Sequence, residues 1–284
     1  SQPVYPSGAT NGTMAYDGTA YGFIDKNLDT ETIYYYRAFT YDASGHFSEA
    51  SEYAQAWART YPIWTLSGNW ATQSSGTSKD LFAISALDSA RAWVVGSDGA
   101  HLRSENGGTS WESRFTNSAY TLHDIAMYNG STGWIAGQNG DQSLNLKSNS
   151  GGMSWTAWPS SSSKPLYAID MVTATLGWQV GAQGHIEKTT DGGASWSQQY
   201  SSVDKTFYSV EFVDELTGWV VGTQGTILKT GDGGATWTAQ TSGVTTTLNS
   251  AYFLNPQLGW IATADGKVLT TADGGSSWTG QTVS

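Results

Sequence analysis

Short runs of alternating apolar and polar residues, separated by turns rich in Gly, Asp, Asn and Thr, fill the chain from about residue 81 onward. One unit contains the runs FYSVEFV (207–213), GWVVG (218–222), TILKT (226–230) and WTAQ (237–240). Alternation over four to seven residues between turn signals is typical of short β-strands. Because four such strands cannot enclose a core alone, we expect each unit to pack against its neighbours.

Two tryptophan positions mark this unit as a tandem repeat. One ends a Gly-Gly-containing phrase, at Trp111, Trp155, Trp196, Trp237 and Trp278, in steps of 44, 41, 41 and 41 residues. The other stands at Trp93, Trp134, Trp178, Trp219 and Trp260, and a glycine precedes it in every unit except the first, where Ala92 does. Four-stranded units of this period predict an all-β fold, a β-propeller of five four-stranded blades. An additional strand at residues 70–73 resembles the last strand of a unit and is expected to close or cap the ring.

The phrase TTDGGASW (189–196) has a physical explanation as a structural turn. Its Asp can accept hydrogen bonds from the turn's own amides, its glycines can adopt positive φ, and its Trp can pack between blades. We therefore predict structural roles for Asn106, Ser150, Asp191, Asp232 and Asp273, and for Trp111, Trp155, Trp196, Trp237 and Trp278. Because Asn106 and Ser150 replace the Asp, the first two blades are expected to be less regular.

This phrase resembles the Asp box of the bacterial neuraminidase repeat. With GW-x-x-G-x-x-G before it, the unit is most similar to the photosystem II assembly and stability factor family, over about three quarters of the chain. The resemblance implies a propeller with seven blades and a basic arginine patch used for binding. This propeller offers five units and the arginines Arg91, Arg103 and Arg114. Asp boxes also occur in sialidases and xyloglucanases, so the resemblance indicates fold more than function.

Residues 1–60 lack both tryptophan markers and form a different module. The run TIYYYRAFT (32–40) alternates as a strand, and a turn, DASG (42–45), follows it. The segment resembles the later strands of a fibronectin type III domain, a β-sandwich whose early strands are missing here. Either the sequence starts inside that domain or a neighbouring chain supplies the strands. We predict domains at 1–60 and 61–284, as part of a longer multidomain protein.

Charge and composition exclude several classes of function. The formal net charge of −11 disfavours a nucleic-acid partner, and no apolar run is long enough to span a membrane. The absence of cysteine excludes disulfides and cysteine-ligated zinc. The four histidines lie in different units without ligand spacing, so we expect no metal and no cofactor.

Alignment of the first strands predicts which side chains face the central channel. The apolar column Ile84, Ile125, Ile169, Val210 and Ala251 is assigned to the core between blades. The opposite parity directs a candidate set of binding residues toward the channel, comprising Asp124, Asp170, Glu211 and Tyr252. These groups indicate a hydrated channel, with a catalytic pair or a cation site as alternatives. Because a five-bladed channel is too narrow for a sugar ring, we predict no catalytic residues.

The loops between blades offer a second candidate surface. It would contain Asn117, Tyr120, residues 160–164, Asp204, Lys205 and residues 139–145. Polar loops with nearby aromatic residues suit a protein or glycan ligand. The sequence thus predicts a non-enzymatic binding module of an exported bacterial surface or appendage protein, extracellular in location. The alternatives are an Asp-box glycoside hydrolase, xyloglucanase-like or sialidase-like, and an assembly chaperone of the photosystem II assembly factor type.

Overall fold

The computed structural model describes residues 72–114 and 117–282, together with the backbone of residues 33–37 and 55–59. The chain divides into two compact units, Ser1–Ala71 and Thr72–Ser284. In the first unit, strand β1 (Ile33–Arg37) pairs antiparallel with β2 (Gln55–Arg59). The rest of the predicted fibronectin type III portion, and half of the predicted strand at residues 70–73, lie outside the described residues. No finding supports the fibronectin assignment.

The second unit contains five antiparallel sheets of four strands, which we number blades 1 to 5 in chain order. Blade 1 comprises β3 (Leu81–Ala86), β4 (Ala92–Gly96), β5 (His101–Ser104) and β6 (Glu112–Ser113). Blade 2 comprises β7 (Tyr120–Met127), β8 (Gly133–Asn139), β9 (Gln142–Ser148) and β10 (Thr156–Trp158). Blade 3 comprises β11 (Leu166–Met171), β12 (Gly177–Gly181), β13 (Ile186–Thr189) and β14 (Ser197–Gln199).

Blade 4 comprises β15 (Phe207–Phe212), β16 (Gly218–Gly222), β17 (Thr226–Thr230) and β18 (Thr238–Thr241). Blade 5 comprises β19 (Leu248–Phe253), β20 (Gly259–Thr263), β21 (Lys267–Thr271) and β22 (Thr279–Thr282). The first strand of each blade contacts the first strand of the next blade, so these five strands are the innermost. The prediction of an all-β, five-bladed propeller of four-stranded blades is therefore confirmed.

Adjacent blades are joined by layers of aromatic rings. Trp178 of blade 3 stacks on Phe212 of blade 4, with ring centroids 3.5 Å apart and planes 8° apart. Trp237, which ends the Asp box of blade 4, meets the edge of Phe212 at 6.0 Å. Trp219, Phe253 and Trp278 repeat this arrangement at the next interface, with centroids 3.6 and 6.0 Å apart. The Trp–Phe–Trp layers remove large apolar surfaces from water.

A hydrogen bond from one blade to the Asp box of the next blade accompanies this packing. The indole nitrogens of Trp93, Trp134 and Trp178 donate to the carbonyls of Gly151, Gly192 and Gly233, at 2.9, 2.8 and 3.3 Å. Lysine ammonium groups lie over the indole rings and donate to glycine carbonyls of the next box. These lysines are Lys147, Lys188 and Lys229, and their ammonium nitrogens lie 5.1, 4.9 and 5.0 Å from the ring centroids of Trp134, Trp178 and Trp219. The carbonyls that accept their hydrogen bonds belong to Gly192, Gly233 and Gly274.

The Asp boxes are closed by hydrogen bonds within the turn. Asp191 Oδ1 accepts from the Ser195 amide at 2.9 Å, and Oδ2 accepts from the Ser195 hydroxyl at 2.6 Å. These bonds lower the pKa of Asp191 to about 2. Asn106 Oδ1 and Ser150 Oγ accept the equivalent backbone bonds, at 2.9 and 3.0 Å, so both departures from the box keep this turn bond.

The outer faces of blades 1 and 5 differ from the four internal interfaces. Ile84 is 63% exposed, whereas the residues in its column on the other blades are 4–7% exposed. Trp260 is 38% exposed, whereas the other four tryptophans at its position are at most 3% exposed. Thr270 stands where the preceding blades have Arg or Lys. Within the described residues, the interface that joins successive blades is therefore not repeated between blade 5 and blade 1.

Candidate functional site

Each innermost strand is interrupted by an irregularity, at its second residue in four blades and at the fourth residue of the longer β7. The pairing register shifts between residues 81 and 83, and the same shift recurs in the other four blades. Such bulges redirect a side chain and are common beside functional sites. The bulge residues are Phe82, His123, Tyr167, Tyr208 and Asn249. They lie at the end of each inner strand that adjoins the loops between blades.

Four of these bulge residues form a continuous row of rings, which we call the aromatic arc: Phe82, His123, Tyr167 and Tyr208. Consecutive ring centroids are 5.8, 4.8 and 5.2 Å apart. Phe82 is 49% exposed and Tyr208 is 36% exposed, while the two rings between them are half-buried. The arc therefore presents a partly exposed aromatic surface that spans blades 1 to 4.

Burial keeps the centre of the arc uncharged, against the opposing effect of one hydrogen bond. His123 Nε2 lies 3.0 Å from Gln138 Oε1 on the neighbouring strand. Burial lowers the pKa of His123, so its imidazole is neutral at neutral pH. Burial and the neighbouring Tyr208 raise the pKa of Tyr167, which keeps its phenol protonated. The arc is thus apolar and neutral, with hydroxyl and imidazole groups available for hydrogen bonding.

A buried carboxylate fixes the loop that leads into the third blade. Glu187 is fully buried and accepts hydrogen bonds from the Ser160 hydroxyl at 2.7 Å and the Ser161 amide at 2.9 Å. It also accepts from the Ser161 hydroxyl and from Gln179 Nε2, and His185 Nε2 lies 3.2 Å away. Burial alone would raise the pKa of Glu187, but hydrogen bonds from His185 and the two serines outweigh burial and lower it. The carboxylate is therefore ionised and holds this loop in one conformation.

The other predicted loop residues are spread over separate places. Asn117 and Tyr120 line a groove of about 580 Å³ beside Trp155 and Arg114. Lys205 Nζ donates to Gln224. In the predicted segment 139–145, Asn139 ends β8, and buried Asn145 donates to the Pro159 carbonyl at 3.2 Å. The step from Trp111 to Trp155 is three residues longer than the other steps, and here β8 and β9 form a longer hairpin with seven residues in each strand.

The predicted channel carboxyls connect one blade to the next. Asp124 Oδ2 accepts from the Ile169 amide at 2.9 Å, and Asp170 Oδ2 accepts from the Phe212 amide at 2.7 Å. Glu211 accepts from the Phe253 amide in the same way. Ser85 and Ser209 accept equivalent bonds at the interfaces between blades 1 and 2 and between blades 4 and 5. The three carboxyls therefore occupy structural positions that serine also fills.

Burial changes the ionisation of these carboxyls. It raises the pKa of Asp124 to about 7 and that of Asp170 to about 6, against the opposing effect of their backbone bonds. Burial and the nearby Asp170 raise the pKa of Glu211 to about 8. Tyr252, predicted to join this group, is an exposed residue of blade 5 that stacks on Trp260 at 6.2 Å. The assigned binding role of all four residues remains a prediction.

The raised pKa values predict a stability that falls as pH increases. Because the folded protein holds these protons more tightly than the unfolded chain, their contribution is complete near pH 4 and is lost progressively as the pH rises from there to about pH 8. Asp124→Asn keeps an oxygen acceptor without the charge. We expect this variant to exceed the parent in unfolding free energy above pH 8 and to approach it near pH 4.

Urea denaturation across this pH range measures the effect. Ser85→Ala removes an uncharged acceptor of the same kind, so its cost should not vary with pH. A parent protein equally stable at pH 6 and pH 9 would contradict the prediction.

The part of the chain that the structure describes holds no group of three or more His, Asp or Glu residues arranged to bind a metal ion. Among the same residues, no helix has the length and apolar character to cross a membrane.

Several solved structures share this fold. YCF48 bound to D1 peptide is 19% identical over 72% of this chain and 83% of that chain, with a TM-score of 0.45. YCF48 from Cyanidioschyzon merolae is 17% identical over 72% and 85%, with the same TM-score. The GH74 enzyme of Niastella koreensis is 19% identical over 71% of this chain and 37% of that chain, with a TM-score of 0.59. At 19% identity, the likeness to the GH74 enzyme shows the fold alone.

No curated protein matches the chain. A family model does match: photosynthesis system II assembly factor YCF48, over residues 64–166 and 199–284. This match contradicts the predicted extracellular location in an exported bacterial surface protein, because the family is one of photosystem II assembly factors. The matched residues make up about two thirds of the sequence. The chain therefore belongs to the photosynthesis system II assembly factor YCF48 family.

Proposed function

We propose that this chain is a non-enzymatic, protein-binding propeller of the assembly-factor type, and that a partner polypeptide binds across the aromatic arc. The observation that supports the site most directly is the row of four rings from four successive blades, with centroids 4.8–5.8 Å apart. Family membership supports the class of function. The chemistry of the arc suits an extended segment of a protein, which presents apolar side chains and backbone amides together.

The arc is organised before any partner arrives. Each ring is held by its neighbours, and the rings of blades 2 to 4 stand on bulges in strands whose other residues pack in the propeller core. Glu187 fixes the adjacent loop through Ser160 and Ser161. A surface ordered in advance loses less conformational entropy when it binds, so more of the contact energy appears as affinity. Rigid aromatic residues are also common among the residues that dominate protein interfaces.

Two observations favour binding over hydrolysis. The carboxyls of Asp124, Asp170 and Glu211 accept backbone hydrogen bonds from the next blade, which makes them structural groups. The propeller arginines pair with nearby carboxylates instead of converging on one site, as a sialidase would require. These pairs are Arg91–Asp88, Arg103–Glu105 and Arg114–Glu112, at 2.7, 2.5 and 2.6 Å. No finding supports the predicted glycan ligand, and the proposed partner is a protein.

Peptide binding tests the proposal. The D1 peptide is the first probe, because YCF48 has been solved bound to it, and an array of unrelated short peptides is the second. We expect at least one peptide to bind the purified chain in fluorescence anisotropy. Phe82→Ala and Tyr208→Ala should each weaken that binding about tenfold, or about 1.4 kcal/mol, because each removes a partly exposed ring of the arc.

Tyr200→Ala is the matched control. Tyr200 is 83% exposed, it is not part of the arc, and its removal should leave affinity unchanged. Absence of binding by every peptide would overturn the proposed function. Binding that the two arc variants do not weaken would overturn the proposed site.

A further inference from the structure

The groove between blades 1 and 2 lies apart from the aromatic arc and shares no residue with it. It measures about 580 Å³, within the range of roughly 300–1,000 Å³ that is usual for small-ligand sites. We propose that this groove binds the side-chain carboxamide of a glutamine in a partner polypeptide. The site is separate from the proposed binding at the arc. Two features support it: the residues that fill the same position beside other blades, and polar groups of the groove that have no partner.

Elsewhere in the propeller, a glutamine side chain lies against the Asp box of the next blade. Gln240 of β18 donates from Nε2 to the Gly274 carbonyl at 3.0 Å. A methyl group added to Gly275, the second glycine of that box, would collide with the Gln240 amide. The same contact recurs at two other boxes, where Gln199 lies beside Gly234 and Gln73 lies beside Gly108. The chain therefore places a carboxamide against the second box glycine at three of its five boxes.

Blade 1 has an arginine in place of this glutamine. Arg114 is the third residue after the tryptophan that ends the box, which is the position of the glutamine in the other units. Its guanidinium group pairs with Glu112 of β6 at 2.6 Å. The atoms nearest to a methyl group added to Gly152 belong to Trp93 and His101 and not to the arginine. The groove therefore opens beside Gly152, at the place where three other boxes hold a carboxamide.

Two donors in the groove residues are buried and have no hydrogen-bond partner within the described part of the chain. They are Trp155 Nε1 and Arg114 Nε. In blade 4, the Gln199 side-chain oxygen and Trp237 Nε1 lie 3.2 and 3.5 Å from the position that a Cβ on Gly234 would take, so amide oxygen and indole N–H occupy the same region. An amide oxygen in the groove would accept hydrogen bonds that the chain itself leaves unmade.

The NH2 group of a carboxamide also has an acceptor beside the groove. The Gly274 carbonyl in blade 5 accepts from both Lys229 and Gln240, each at 3.0 Å. The corresponding carbonyl in blade 2, that of Gly151, has one recorded bond, from Trp93 Nε1 at 2.9 Å, which leaves a second lone pair. A neutral group that both donates and accepts therefore suits this position, and the glutamine side chain is such a group.

The other contacts favour glutamine over glutamate or an apolar side chain. The Trp155 ring, Leu146 and Ala157 line the groove and suit methylene groups. Glu112 already balances the charge of Arg114, so a glutamate would bring an unbalanced negative charge and would offer no donor. An apolar side chain would leave the buried donors without partners. The groove should therefore discriminate between side chains of similar length.

The test uses three acetylated and amidated peptides, in which Gln, Glu or Met is flanked by glycines. Nuclear magnetic resonance of the isotope-labelled full chain follows each titration at the Trp155 indole N–H. We expect the Gln peptide to shift this signal and to bind about tenfold more tightly than the Glu and Met peptides, because neither supplies both a neutral acceptor and a donor. Equal affinities, tighter binding of the Glu peptide, or no shift with the Gln peptide would overturn the inference.

Arg114→Gln supplies a competitor from within the chain. It restores the residue that other outer strands carry, so its own carboxamide should fill the groove and abolish binding of the Gln peptide, followed at the Gly152 amide. Trp155→Phe keeps a ring but removes one donor, and should weaken binding severalfold. Trp237→Phe makes the same change in blade 4 and should have no effect. Full binding by Arg114→Gln would show that the groove is not the glutamine position.

A further comparison separates this site from the arc. Phe82→Ala should leave binding of the Gln peptide unchanged, because Phe82 does not line the groove. A peptide that binds at the arc should bind Arg114→Gln as it binds the parent. Failure of the groove experiment would therefore leave the proposed function at the arc intact.

Discussion

Replacing Trp219 by alanine is expected to lower the free energy of unfolding by about 3–5 kcal/mol, which is the cost of removing a fully buried large aromatic ring. Trp219 is completely buried and stacks on Phe253 at 3.6 Å. Its ring also lies beneath the Lys229 ammonium group, at 5.0 Å. The substitution therefore opens a cavity between blades 4 and 5 and removes a cation contact together with the aromatic layer. Urea denaturation followed by circular dichroism measures the loss.

Trp260→Ala is the control for this prediction. Trp260 occupies the same position in blade 5, on a face with no following blade in the described residues, and it is 38% exposed. Its replacement should cost about 1 kcal/mol, because much of the ring is already in water. Equal losses at the two positions would show that the contact with the next blade does not determine the stability.

Gly225→Ala is expected to cost about 3 kcal/mol, from two separate effects. Gly225 has a φ of 68°, a conformation that costs an L-residue about 1–2 kcal/mol. A methyl group there would also lie 2.0 Å from the Val244 carbonyl oxygen, so the loop between blades 4 and 5 would have to shift. Overpacking of this kind adds about 1–3 kcal/mol. Thermal denaturation is a sufficient measurement.

Gly266 separates these two effects. It has a comparable φ of 77° in blade 5, but nothing lies within 4 Å of an added methyl group. Gly266→Ala should therefore cost about 1 kcal/mol, from backbone strain alone. If Gly225→Ala were no more harmful than Gly266→Ala, the close approach of the loop would have no energetic consequence.

Much of the fold could be predicted because each blade repeats the same solution. The tryptophan spacing locates five blades, and period-two alternation places Ile125, Ile169 and Val210 in the core. The same alternation assigns Ile84 to the core, but in the structure Ile84 is exposed. Sequence parity describes one strand at a time, whereas burial depends on whether a neighbouring blade is present.

The aromatic arc was missed for a physical reason. Phe82, His123, Tyr167 and Tyr208 form one column of the aligned first strands, so the signal was present in the sequence. Strict alternation assumes that each residue points opposite to the one before it, and a bulge breaks that rule at this column.

The role of Glu187 could not be predicted from the repeat. It is a single acidic residue in β13, and its hydrogen-bond partners Ser160 and Ser161 lie in the preceding loop, 26–27 residues earlier. Only the tertiary structure brings these groups together. Sequence patterns describe what recurs in every blade, whereas this contact occurs once.

Because the outer faces of blades 1 and 5 are exposed, the stabilising contacts between blades form a row with two ends and not a closed ring. Blades 2, 3 and 4 each gain stability from two neighbours, whereas each end blade gains it from one within the described residues. In such nearest-neighbour systems, opening begins at the ends and moves inward, and no step requires all interfaces to break together. The aromatic arc extends from blade 1, which is expected to open first, into the central blades. A partner that binds along the whole arc would therefore stabilise blade 1 against local unfolding.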